Sequence, residues 1–126
     1  SIVVNEALKY TTSEKDYMVV WGWQCRYYVE AGLPQGTAEN HSERSIFDHP
    51  LRTQYRVRYL NDLHRTQPVV FIDAVGKNSL WVQDTETQSY ESFPELKVYI
   101  EENYVFKGTI EGDRLFIRKD RTNNLL

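Results

Sequence analysis

The sequence predicts an α/β fold: a three-layer, Rossmann-like sandwich whose sheet is mostly parallel and ends in a C-terminal antiparallel hairpin. Three observations predict it. "YMVVW" and "VVFIDAV" are continuous apolar runs rich in β-branched residues, as strands covered on both faces require. Segments of helical period lie between and after them, and strands alternating with helices pair in parallel through right-handed crossovers. Last, "YVFKGTI" and "LFIRK" flank "EGDR", the pattern of a hairpin.

Each element has its own warrant. In "VVNEALKY", Val3, Val4, Ala7 and Leu8 share one helical face, so a short helix is expected at 3–10. "TTSEKD" is a polar connection to the first strand, at about Tyr17 to Trp21. Gly22 lets the backbone leave the sheet sharply. From Gln24 to Glu30 the apolar positions fit a helical turn or two, closed by Gly32, with Cys25 as a small buried apolar residue on it. Residues 31–50 hold two Gly, two Pro and many polar side chains without periodicity, the character of a functional loop.

A helix follows from about Leu51 to Thr66, its core stripe formed by Leu51, Tyr55, Tyr59 and Leu63 with Leu60 beside them. Arg52, Arg56 and Arg58 lie off that stripe. Pro68 closes the connection into the second strand, and "GKNSLWVQDTETQSYES" is a second loop. Pro94 suits the first turn of the helix "PELKVYIEEN". In the hairpin, Tyr104, Phe106 and Ile110 fall on one face, and "RTNNLL" is a frayed tail.

A chain of 126 residues forms one domain, 1–126, long enough for a real core. A net charge of −3 without a basic cluster argues against a nucleic-acid partner. Cys25 is alone, so no internal disulfide forms. No segment reaches the roughly 20 apolar residues that span a bilayer. The chain begins at Ser1 without Met and without a signal peptide, and is read as a processed chain or a domain excised from a longer protein.

Chemistry-bearing motifs are sparse. "WGWQCR" is neither G-x-G-x-x-G nor G-x-x-x-x-G-K-[ST], so no nucleotide cofactor is expected. His41, His49 and His64 occur at no ligand spacing and no metal is expected. His41 and His49 share the long loop with Glu39, Glu43 and Asp48, where solvated side chains are the preferred reading over a surface site. There is no G-x-S-x-G, and Trp23 stands where an elbow serine would sit. Glu101 and Glu102 are read as solvated, so no catalytic residue is assigned.

One constellation remains: Trp21, Trp23, Arg26 and Asp73. With the two strands as parallel neighbours, these four approach one sheet edge, where open α/β sheets keep their ligands. Indole faces with Arg and Asp suit a sugar ring or a polar headgroup. The plainer alternative, preferred here, has the indoles filling the gap between strand end and long loop, with Asp73 capping the turn that follows.

The ordered set "VVWGW…YYVEAGL", "RTQYRVRYLNDLHRTQPVVFID" and "FPELKVYIEENYVFKGTIEGDRLFIRKD" resembles the C-terminal soluble region of bacterial polytopic glycosyltransferases of the dolichyl-phosphate-mannose-like, GT-C type. The resemblance runs from about Val3 to Arg121. It implies an extracytoplasmic domain, on the periplasmic face of the inner membrane, that follows a bundle of transmembrane helices. Its partners would be that transmembrane part of the same polypeptide and a lipid-linked sugar donor or glycan acceptor. The family's catalytic acid lies in an early loop that no position here matches. Trp21, Gly22, Asp73, Pro94, Tyr104 and Arg118 match positions that look structural there, and the loop element "P-a-t-R" has no Arg counterpart in "PQGTAEN". The expected function is therefore a noncatalytic accessory domain. The alternatives are a stand-alone carbohydrate- or partner-binding module, and a small hydrolase or transferase.

Overall fold

A computed structural model describes residues 1–39, 42–79 and 81–122. His41 and the last four residues of "RTNNLL" lie outside the described residues. The elements are α1 (Ile2–Leu8), β1 (Met18–Trp21), α2 (Arg26–Ala31), α3 (Glu43–Ile46), α4 (Arg52–Thr66), β2 (Val70–Asp73), α5 (Thr85–Gln88), α6 (Pro94–Asn103), β3 (Tyr104–Ile110) and β4 (Asp113–Arg118). Short 3-10 turns occupy Tyr90–Ser92 and Lys119–Arg121.

The four strands form one mixed sheet in the order β1-β2-β4-β3. β1 and β2 are parallel, with Val19 opposite Phe71 and Trp21 opposite Asp73. The β2–β4 and β3–β4 pairings are antiparallel, so the expectation of a mostly parallel sheet is corrected. The reason lies in the hairpin. β4 buries Leu115, Phe116 and Ile117, whereas β3 carries exposed Phe106, Lys107 and Thr109. The more apolar strand takes the interior position beside β2, and the polar one takes the edge, where charge and irregularity discourage further pairing.

Side chains alternate across the sheet. Met18, Val20, Val70, Ile72, Leu115 and Ile117 join Val3, Val4 and Ala7 of α1 and Tyr27 and Tyr28 of α2 in one apolar cluster. Val19, Trp21, Phe71 and Phe116 join Tyr59 and Leu63 of α4 and Leu96, Tyr99 and Ile100 of α6 in another. Both β1 and β2 are buried at all four positions, which explains their unbroken apolar runs.

β1 lies at the sheet edge, and its outward groups are met locally. The Val20 N–H donates to Tyr28 Oη at 2.8 Å. Met18 N–H donates to Pro34 O at 3.0 Å, and Gly36 N–H donates to Met18 O at 2.9 Å. The first part of the long loop therefore covers an edge that would otherwise recruit another strand. Gly22 follows β1 at φ 117°, and a Cβ there would stand 3.2 Å from the carbonyl carbon of Ala74. Only glycine lets the chain both turn and pass this close.

Three local expectations are corrected. The α4 stripe is core-facing only in its C-terminal half: Tyr59 and Leu63 are buried, but Leu51 precedes the helix and is 46% exposed. The first turns of α4 pack on α3 rather than on the sheet. In β3, a bulge between Phe106 and Gly108, with Gly108 at φ 126°, shifts the alternation. Tyr104 therefore enters the aromatic cluster while Ile110 packs against the opposite one, so they do not share a face. Cys25 is the N-cap of α2 and half-buried, not a core residue within the helix. Among the described residues, no helix is long and apolar enough to cross a membrane.

Candidate functional site

The parallel register sets the carboxyl ends of β1 and β2 side by side, with Trp21 opposite Asp73. Trp21 is fully buried. Its ring meets Tyr59 edge-on at 5.3 Å, and Nε1–H donates to Gln88 O at 2.8 Å. Its indole is a core block that fastens the 85–92 segment over the sheet, and it offers no face to a ligand.

Asp73 is 1% exposed. Oδ1 accepts from Val75 N–H at 3.0 Å, so the carboxylate caps the turn that follows β2. Oδ2 accepts from Tyr90 N–H at 3.1 Å and from Arg114 Nη2 at 2.7 Å. Burial pushes this carboxyl above the ordinary range, against the pull of the Tyr90 and Val75 amides and of Arg114. With both oxygens engaged, Asp73 is an anchor rather than a base.

What Asp73 anchors is a guanidinium. Cross-strand register puts Arg114 opposite it. Arg114 also grips Glu91 in a bidentate pair, Nη1 to Oε2 at 2.8 Å and Nη2 to Oε1 at 2.5 Å. The guanidinium carbon lies 4.9 Å from the Tyr90 ring centroid. Arg114 holds the Glu91 carboxyl below its usual range, and Glu91 holds Arg114 firmly protonated. Beside this pair is a cleft of about 450 Å³ lined by Val75, Thr85, Ser89, Glu91, Thr109, Gly112 and Arg114.

On the other face, Tyr27 Oη donates to Asp113 Oδ2 at 2.5 Å in a buried bond. Burial and Asp113 together push the Tyr27 phenol up to about 12. Burial raises the Asp113 carboxyl, Asp73 adds to the rise, and Tyr27 and Arg26 oppose it. Arg26 itself is exposed at the start of α2, with its guanidinium 5.6 Å from the Tyr27 ring centroid.

Trp23 is half-buried and lies 6.1 Å from the Trp81 ring, tilted by 54°. Trp81 is 66% exposed. The turn that presents it is tied down: Gly76 N–H donates to Val82 O at 3.0 Å, and Asn78 Nδ2 donates to Glu111 O at 2.9 Å. Gln83 Nε2 adds a bond to Ser79 O at 2.8 Å.

Of the four candidates, the structure brings Trp21 and Asp73 together in the core, leaves Arg26 at the rim, and pairs Trp23 with a partner sequence reasoning passed over. Trp81, Tyr27, Glu91, Asp113 and Arg114 were all missed. Asp113 and Arg114 fell in the stretch read as the hairpin loop. A start of β4 two residues earlier, beside β2, would have set Arg114 across from Asp73. His49 serves the α3–α4 connection: Nε2 lies 2.7 Å from Arg44 O, and Nδ1 accepts from Leu51 N–H at 3.3 Å. Among the described residues, no group of three or more His, Cys, Asp or Glu side chains is placed to hold a metal ion. Comparison with family models, curated proteins and solved structures found no match to this chain.

Proposed function

We propose that this chain is a noncatalytic, extracytoplasmic accessory domain of a membrane glycosyltransferase that uses a lipid-linked sugar donor. In this reading it lies on the periplasmic face of the inner membrane. It packs on the transmembrane part of its own polypeptide and helps position or screen donor and acceptor, while bond-making belongs to the membrane part. The three-layer, Rossmann-like arrangement belongs to the same reading, and the apolar clusters on the two faces of the mixed sheet support it.

The observation that carries the proposal is how the ionisable groups at the sheet edge are used. Asp73, Arg114 and Glu91 engage one another, and Asp113 takes the Tyr27 hydroxyl. A general base or nucleophile needs a group poised to exchange protons with a substrate, and each of these acids already has a protein hydrogen-bond partner. The test is the coding sequence upstream of Ser1. Several apolar stretches of about 20 residues are expected there, and a parent that encodes none ends the proposal.

The exposed Trp81 beside Trp23 favours a second reading, a stand-alone carbohydrate- or partner-binding module. Titration of sugars against tryptophan emission tests it, with Trp81→Ala as control. A response that survives the substitution counts against this reading.

A further inference from the structure

We infer that the cleft beside the Arg114–Glu91 pair binds a neutral, hydroxyl-rich ring, a pyranoside, and not a phosphate. Its volume of about 450 Å³ falls within the span of small-ligand sites. It opens between β3 and β4 on one side and the segment from Thr85 to Glu91 on the other.

Charge decides the class of ligand. A lone arginine at a cleft wall invites an anion, but Arg114 faces two carboxylates, Asp73 at 2.7 Å and Glu91 at 2.5 Å. One positive and two negative charges leave the cluster with a formal charge of −1. A phosphate would enter against that charge and would have to displace Glu91 from a bidentate grip. A sugar hydroxyl needs no such exchange, because it donates to a carboxylate oxygen and accepts from a guanidinium N–H at once. Glu91 is 38% exposed and Arg114 28%, so both stay in reach of the cleft while Asp73, at 1%, holds the arginine from behind.

The rest of the lining fits the same ligand. Thr85 and Thr109 are exposed and carry hydroxyls that both donate and accept. Gly112 brings bare backbone to the wall, and the buried Val75 backs the lining. The frame is preformed. Tyr90 N–H is fixed on Asp73, and the Tyr90 ring lies under Arg114. Little ordering is left for the ligand to impose. The inference rests on the accessory-domain reading only for the origin of the ring, donor or acceptor; the cleft chemistry stands without it.

The experiment is an amide NMR titration of the chain with methyl pyranosides of differing C2 and C4 configuration, and separately with inorganic phosphate. At least one pyranoside should produce saturable shifts at Thr109, Gly112 and Arg114. Glu91→Gln should weaken that binding by about tenfold or more, as loss of hydrogen bonds to a charged group does. Thr109→Val, on the exposed edge strand, should weaken it less and keeps the test open should Glu91→Gln disturb the fold. The inference is overturned by saturable shifts with no pyranoside, by binding that neither variant weakens, or by inorganic phosphate moving the same resonances. Any of these leaves the accessory-domain proposal standing, since that is decided by the sequence upstream of Ser1.

Discussion

On the face covered by α1 and α2 the buried set is largely aliphatic, built on Val3, Val4, Val20, Val70, Ile72, Leu115 and Ile117. On the face covered by α4 and α6 it is largely rings: Trp21, Tyr59, Phe71, Tyr90, Phe93, Tyr99, Tyr104 and Phe116. The two faces hold the chain differently. Aliphatic packing is dense but has little direction. On the other face the rings meet edge-on, as Phe71 with Tyr90 at 5.7 Å and Tyr90 with Phe116 at 5.2 Å. Their polar tips fasten distant segments: Trp21 Nε1–H to Gln88 O, Tyr99 Oη to Leu63 O, and Tyr104 Oη to Pro68 O. The aromatic face thus ties down the segment that walls the cleft, and the aliphatic face closes the sheet from behind.

The sharpest way to break this comparison is to cut neighbouring residues of β2 that point to opposite faces. Phe71→Ala should destabilise by about 3–5 kcal/mol and Ile72→Ala by about 2–5 kcal/mol. Both are fully buried. Denaturant unfolding measures the two. The larger loss is expected on the aromatic side, together with faster exchange of the Tyr90 amide. A greater loss for Ile72→Ala would make the aliphatic face the principal support.

A smaller cut tests the polar tips. Tyr28→Phe, on the aliphatic face, leaves the Val20 N–H of an edge strand without its acceptor, at a cost of about 1–3 kcal/mol. Trp21→Phe, on the aromatic face, removes the donor to Gln88 O and leaves a small cavity where the indole packed, at a cost of about 1–3 kcal/mol. The difference should be regional: amide exchange speeds up in β1 for the first variant and around 85–91 for the second. The same exchange pattern from both would show that the faces do not act separately.

Glu91→Gln probes the cleft wall through pH. Arg114 lowers the folded-state pKa of Glu91 below the unfolded value. A depressed acid stabilises the fold above its unfolded pKa and loses that contribution as pH falls through the folded one. The wild type should therefore exceed the variant by less than about 1 kcal/mol near neutrality, as for a half-exposed ion pair. The gap should close below the ordinary glutamate range. A gap that widens in acid would mean that Glu91 is not held by Arg114.

Local periodicity carried most of this fold into the sequence. The 15-residue α4, the Pro94 start of α6 and the two buried strands all follow from spacing and caps within a few residues. The sheet order does not, because nothing local says that β4 inserts between β2 and β3. That placement depends on burial at Leu115, Phe116 and Ile117 outweighing burial along β3. The candidate site suffered for the same reason. Asp73 was legible as the end of an apolar run and as the cap of the turn that follows, but its other two partners come from 17 and 41 positions away in sequence. The one-turn helices α3 and α5 are too short for any period to reveal. The bulge at Gly108 is written in the sequence as a glycine inside a strand, a recognised mark of one, and it breaks the strict alternation of β3.

The smallest stability effect should come from the most conspicuous side chain. Trp81 is 66% exposed, so Trp81→Ala should change unfolding free energy by no more than about 0.5 kcal/mol, the range of surface substitutions. Its spectral effect should be large. Trp21 is sealed from water and Trp23 is half-buried, so Trp81 carries the emission most open to an aqueous quencher. Removing it should shrink the readily quenched fraction and leave the blue-shifted emission of Trp21 in place. A loss of several kcal/mol would instead mean that Trp81 seals the corner above Trp23, and the surface it shows to water would then be the back of a packing residue.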